Sequence, residues 1–377
     1  MDTTVPSLRE MLAQVPDPRK ARGQRHPWAA LLLLLVVGLL SGANSQRAVA
    51  RWGHAAPRRW RQCLGFTRPQ GPSQPTLQRL LRTVDIGPLE AVLGEWLQQV
   101  RAAWRQSAAR WLDGIAIDGK TLRGARRLGA AEPHLLSACC QRFGVVLGEV
   151  PVPATTNEVG AVGALLDALL LAGETVTFDA EFTQYLVAEH TVRQGGAYLM
   201  VVKGNQPTLL ADSRSATAWP ARQLGTAHRV RLAHGRIEAR TLVAAAARDI
   251  AWPHARQVLR LHRRFVHKTT GRVLSDETLY AVTSLTPEQA SPAALLRLWQ
   301  AHWTIENRLH WVRDVVFGED LATIRTAHAP QAFAAFRNLA ISLLHLWRGR
   351  EVTAARQYYA AHPAALFRRL GLAPPGL

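Results

Sequence analysis

Along the first hundred residues the apolar positions recur every three to four residues, the spacing of helices with one buried face. It predicts helices over Ser7–Val15, 28–41, about 44–53, Leu77–Val84 and Leu89–Ala103. Pro16-Asp17-Pro18 stops the first, and Pro69, Gly71, Pro72 and Pro75 mark a loop before the last two. The stretch Trp28–Leu40 (WAALLLLLVVGLL) is apolar on every side, which predicts a helix buried all round. At this length it falls short of the ~20 residues a bilayer span needs. It also begins too far along the chain, behind a mixed-charge stretch, for a signal peptide.

From residue 111 the period changes to two. In WLDGIAIDGK, Ile115 and Ile117 share one face and Ala116 and Asp118 the other. Further strands are predicted over Leu135–Cys140, Val145–Pro151, Thr175–Phe178 and Tyr198–Val202, with helices over Asn157–Leu171 and Thr183–Gln194. Three strands, helix, strand, helix, strand is the α/β order of an RNase H-like core. Residues 207–285 break it with β-segments over His228–Val243, Arg256–Val266 and Thr278–Thr283, a β-rich insertion before the last core helix. Thr286-Pro287 and Ser291-Pro292 each pair a capping residue with proline, predicting helix starts. One long helix is expected to carry Trp299–Asp320, with another over 331–347. The expected domains are a helical N-terminal domain (1–105) whose basic character suits either DNA contact or a packing or dimerisation role, a catalytic domain (106–348) containing the insertion, and a short basic tail (349–377).

Composition sharpens this. The 377 residues carry a formal charge of +19, which points to a polyanionic partner, while 48% hydrophobic residues and 12 Trp make the chain a folded protein. Lysine occurs only at Lys20, Lys120, Lys203 and Lys268 among 46 basic residues. Cys63, Cys139 and Cys140 make neither a CxxC site nor a disulfide framework, which suits a reducing cytoplasm.

Two carboxylates close apolar strands: Asp118, before Gly119-Lys120, and Asp179, at the end of TVTFD. Neighbouring strands that each deliver an Asp repel unless a cation sits between them, and a divalent ion does so through oxygen ligands. A third carboxylate from a helix completes such a set, and Glu306 is the candidate, with Glu181, Asp314, Glu319 and Asp320 as rivals; Asp113, ahead of its strand, is the local rival of Asp118. Two metal ions ~4 Å apart activate an attacking water or 3′-hydroxyl and stabilise the leaving oxygen in phosphoryl transfer. There is no Walker A loop, GxGxxG, HExxH or GxSxG, and His302 and His310 are too far apart for a helical zinc pair. At 100° per residue, His302, Leu309 and Arg313 lie within about 60° of Glu306, and Trp303 and His310 about 60° and 40° away. Arg313 is then aimed at a phosphate. Of Trp299, Trp303 and Trp311, at least two are expected in the core. Candidate DNA contacts are Lys120, Arg123, Lys203, Asn205, Gln206, His302, Trp303, Asn307, His310 and Arg313.

IAIDGK, TNEVGAVGALL, VTFDAEFTQ, YLMVVKGNQPTL, HGRIEAR and HWTIENRLHWVRDVVFGED together resemble bacterial insertion-sequence transposases of the DDE class, nearest the H-repeat-associated group. The N-terminal DPRKARGQRHPWAALLLLLVVGLLSGANS resembles that family's associated domain. The resemblance implies an RNase H-like domain using Mg2+ (Mn2+ as substitute, two ions), with Asp118, Asp179 and Glu306 as the metal-holding triad. It implies cleavage at terminal inverted repeats, joining to double-stranded target DNA, and a homodimer or larger synaptic complex, nucleoid-associated when bound. Thr155, Glu181-Phe182, Gln300 and Arg313 depart from the family's usual residues; none is a triad member. The competing expectations are a decayed or repurposed DNA-binding protein and a stand-alone metal-dependent nuclease.

Overall fold

In the computed structural model of the chain, residues 5–22, 24–106, 112–126, 132–218, 224–348 and 351–373 are described. The chain divides into two compact units, each discontinuous in sequence. The first takes Met1–Ala109, Gly119–Asn157 and Thr304–Leu377, and the second Arg110–Asp118 and Glu158–Trp303.

Six helices open the first unit: α1 (Leu8–Ala13), α2 (Trp28–Leu40), α3 (Gln46–Ala55), α4 (Arg58–Cys63), α5 (Gln74–Thr83) and α6 (Ile86–Gln106). A capping box starts α1: Ser7 Oγ accepts from the Glu10 amide and the Glu10 carboxylate accepts from the Ser7 amide. Helix α2 is buried almost all round, and α1, α3 and α11 (Ala329–Arg348, below) pack on it. Gly38 and Gly53 let α2 and α3 close, since a Cβ on either would press on Val49 or Leu34 at 3.0–3.1 Å. No helix among the described residues is long and apolar enough to cross a membrane.

Strand β1 (Gly114–Thr121) begins in the second unit and ends in the first. The hairpin β2 (His134–Cys140) and β3 (Val146–Val152) follows, turned by Gly144 at φ 69°. Next come α7 (Glu158–Asp167), β4 (Thr175–Phe178), α8 (Tyr185–Arg193) and β5 (Ala197–Val202), the order expected from the sequence. Helix α9 (Pro207–Ala216), which the pattern did not reveal, precedes β6 (Gly225–Ala233), β7 (Arg236–Ala246), β8 (Gln257–His267) and β9 (Val273–Thr283).

Within the second unit the strands run in the order β1-β4-β5-β9-β8-β7-β6. β1, β4 and β5 are parallel, and β5 through β6 antiparallel. The insertion therefore extends the sheet: β9 pairs directly with β5, Leu199 opposite Thr283. Its inner face packs Leu242, Leu259, Leu261 and Ala281 against Leu295, Leu298 and Trp299 of α10 (Pro292–Ala301). Ser291 caps α10 through the Ala294 amide, whereas Thr286-Pro287 starts no helix: Thr286 and Gln289 bond each other across a turn.

The long helix expected from Trp299 to Asp320 is broken. α10 ends at Ala301, the chain turns at His302–Trp303, and winding resumes with π-type segments over Glu306–His310 and Val312–Val316. Bonds of the i→i+5 type turn the chain less per residue than an α-helix does, so angles read at 100° drift.

In the first unit α11 packs on α2, α5 and α6, binding the end of the chain to its beginning. The expected tail is two more helices, α12 (Val352–Ala361) and α13 (Pro363–Arg369), with Leu366 and Phe367 buried. Arg356 anchors them by donating to the carbonyls of Leu39 and Ala43 at the C-terminal end of α2, where a cation meets the helix dipole. Residues 349–350 and 374–377 of that tail lie outside the described residues.

Candidate active site

The second unit holds the two aspartates. Val176 and Phe178 bury β4, and Asp179 follows at its end. Ile115 and Ile117 bury the first half of β1, but the strand runs on past Asp118 to Thr121. Asp118 marks where the burial stops and not, as expected, where the strand ends. The β1–β4 pairing is parallel with Ala116 opposite Thr177. Asp118 and Asp179 each lie two residues beyond that pair, on the same face by strand alternation. Asp179 Oδ1 accepts from the Glu181 amide at 2.9 Å and the Phe182 amide at 3.4 Å, which fixes the carboxyl against its own turn.

Asn205 and Gln206 hold that turn from behind. Asn205 Nδ2 donates to the Ala180 carbonyl at 2.7 Å and Gln206 Nε2 to the Thr183 carbonyl at 2.9 Å. Their amides are thus spent on positioning the loop after β4, while Lys203 is exposed. His302 Nδ1 sits 2.9 Å from Thr177 Oγ1, a hydrogen bond on the sheet face that carries Asp179.

Glu306 belongs to the first unit, where its carboxylate lies 3.7 Å from His310 Nδ1 in the first π-type segment. Glu306 and Asn307 are exposed and His310 is buried. Trp303 and Trp311 are 59% and 53% exposed and only Trp299 is core, so the expectation of two buried tryptophans is overturned. Ile305, Leu309 and Val312 take the buried positions of this stretch instead.

Arg313 does not face solvent. It is fully buried in the first unit, donating to Glu149 at 2.7 Å and Glu319 at 2.6 Å, and Arg337 joins Glu319 at 2.9 Å. Its expected phosphate contact is therefore corrected to a structural one. Burial pushes the Glu319 carboxyl up, but Arg313 and Arg337 outweigh it and hold it below its usual value. Lys120 Nζ is likewise taken, by Asp314 at 2.7 Å, while Arg123 stays exposed. Asp314 and Glu319 thus serve ion pairs. Burial first, then the Asp314 charge, raises the Asp320 carboxyl. No spacing or motif marks Glu149, in the middle of β3, as the partner of Arg313.

Residues 112–343 match the family described as "Transposase DDE domain", and residues 9–97 match "DDE_Tnp_1-associated". The chain belongs to the DDE-domain transposase family. Its relatives include the Escherichia coli O157:H7 protein named "Putative transposase YncI", 28% identical over 90% of this chain and 88% of that one. The Escherichia coli K12 protein named "H repeat-associated putative transposase YhhI" is 27% identical over 89% of this chain and 90% of that one. The chain is accordingly a bacterial DNA transposase of the H-repeat group. A solved piggyBac transposase synaptic complex with hairpin DNA covers 98% of this chain and 78% of its own, at 12% identity and TM-score 0.42. At that score the likeness carries no argument.

Proposed function

We propose that this transposase cuts DNA at the ends of its element and joins the 3′ ends to target DNA, with Mg2+ held by Asp118, Asp179 and Glu306 in an RNase H-like core. The observation that carries the reading is the pair of aspartates in matching register on one face of adjacent parallel strands, inside the span that matches the transposase domain. Strands in a sheet lie about 4.8 Å apart, so carboxylates carried on neighbouring strands can share an ion whose charge offsets their mutual repulsion. Hard oxygen donors of this kind fit a divalent cation. Bound there, such an ion would supply Lewis acidity and lower the pKa of an attacking water.

The rest falls to the chain's own residues. The Glu181 and Phe182 amides orient Asp179, and Asn205 and Gln206 keep that turn in place. His302, tied to Thr177, fixes where the chain leaves α10 four residues before Glu306. Joining two ends demands that both be held together, so a homodimer or larger assembly on double-stranded DNA belongs to this reading.

The test uses a labelled duplex carrying an element end, with Mg2+ or with EDTA. Wild type should give a Mg2+-dependent product, and Asp118→Asn should lose it while still binding the duplex. Undiminished cutting by Asp118→Asn sinks the metal-site assignment. DNA binding by wild type with no metal-dependent product favours a repurposed DNA-binding protein.

A further inference from the structure

A second candidate nucleic-acid surface lies within the first unit, built from the loop before α2 and from α5. These segments border a cavity of about 520 Å³ lined by Arg19, Lys20, Arg22, Arg25 and Arg79, and no acidic side chain lines it. Ser73, Thr76 and Thr83 add hydroxyls along its α5 side. We propose that this groove grips the phosphate backbone of duplex DNA.

The loop is held open by its own contacts. Arg19 pairs with Asp17 at 2.8 Å, donates to the His26 carbonyl at 3.0 Å, and lies over the Trp28 ring. His26 stands edge-on to Phe66. With Arg19 spent as the strut, Lys20, Arg22, Arg25 and Arg79 are exposed and make no ion pair among the described residues. Crowding unpaired cations around one concavity costs self-repulsion, which an anion relieves. The His26 ring registers that field: burial first, then Arg68, Arg19 and Arg25, hold its pKa below the usual value.

Duplex backbone is the occupant the lining favours. Arginine, lysine and hydroxyl side chains are the groups that contact phosphate oxygens. No Trp, Tyr or Phe lines the groove to stack an unpaired base, the device single-strand sites use. The start of α5 adds the positive end of a ten-residue helix. The inference rests on the DNA-transposase reading but places binding on residues outside the proposed triad.

The experiment measures duplex affinity of the full-length Asp118→Asn protein in EDTA, by fluorescence anisotropy from 50 to 200 mM salt. Each phosphate contact contributes about 0.9 to the slope of log affinity against log salt. Replacing Arg22, Arg25 and Arg79 together with alanine should flatten the slope by about 2.7. Replacing Arg272, Arg368 and Arg369, which are exposed elsewhere, should leave it nearly unchanged. Equal slopes for the two triple variants overturn the groove. If the groove triple fails to fold by circular dichroism, Arg22→Ala alone, on an exposed turn, must still flatten the slope by about 0.9, and no change overturns the proposal. Absence of duplex binding by the parent protein would instead sink the transposase reading itself.

Discussion

Arg313 Nη1 donates to Glu149 Oε2 at 2.7 Å inside the first unit, with both side chains closed off from solvent. The pair joins the π-wound segment after α10 to the middle of β3, two stretches far apart in sequence. Ser137 donates to the same Glu149 oxygen at 2.7 Å, and Glu319 takes the other side of the guanidinium.

Breaking such a network strands a charge. Arg313→Met would leave Glu149 without its cation and remove one of two from Glu319, and loss of one partner of a buried pair costs roughly 3–5 kcal/mol. Thermal unfolding of the variant should show a melting temperature many degrees lower. An unchanged melting temperature would show that the network contributes nothing.

Glu90 offers a pH-dependent test. Burial, then the nearby Glu149 charge, raises its pKa to about 8, although Gln331 donates to it at 2.9 Å. The folded protein therefore holds a proton that the unfolded chain has released between about pH 4.5 and 8. Stability from this group is complete below that window and falls as pH rises through it. Glu90→Gln should flatten this part of the melting-temperature profile; an identical slope in the variant refutes the assignment.

Gly124 is a position where only glycine fits. A Cβ there would lie 2.5 Å from the Glu319 carbonyl oxygen and 2.8 Å from that of Ala322, both backbone atoms that cannot swing aside. Gly124→Ala should lower the melting temperature, and the loss should persist when Glu319, whose side chain points into the ion network, is also replaced. A wild-type melting temperature would show that the two loops move apart freely.

The three tryptophans separate packing from surface. Trp299→Ala should cost about 3–5 kcal/mol, as for other buried large side chains. Trp303→Ala and Trp311→Ala should stay within about 0.5 kcal/mol of wild type because both are exposed. Denaturant melts read all three, and a large loss at Trp303 would contradict its exposed position.

Periodicity alone determined most of the elements. The apolar runs in GIAIDGKT and TVTF make buried strand segments that reach Asp118 and Asp179, because burial stops where a carboxylate begins, though only tertiary pairing carried β1 on to Thr121. The thirteen apolar residues of α2 could only be a core helix, and the six ordered motifs pointed to the transposase family that the matches establish. Local pattern could not reveal the break at His302–Trp303, since π-type winding is set by what each side chain packs against. Nor could it separate an arginine aimed at phosphate from one locked onto Glu149, because that depends on β3 lying against the segment that bears Arg313. The same long-range packing bound α11, α12 and α13 to the helices at the start of the chain. Sequence spacing chose the residue types. Tertiary contact decided which charges are struts and which stand open to solvent.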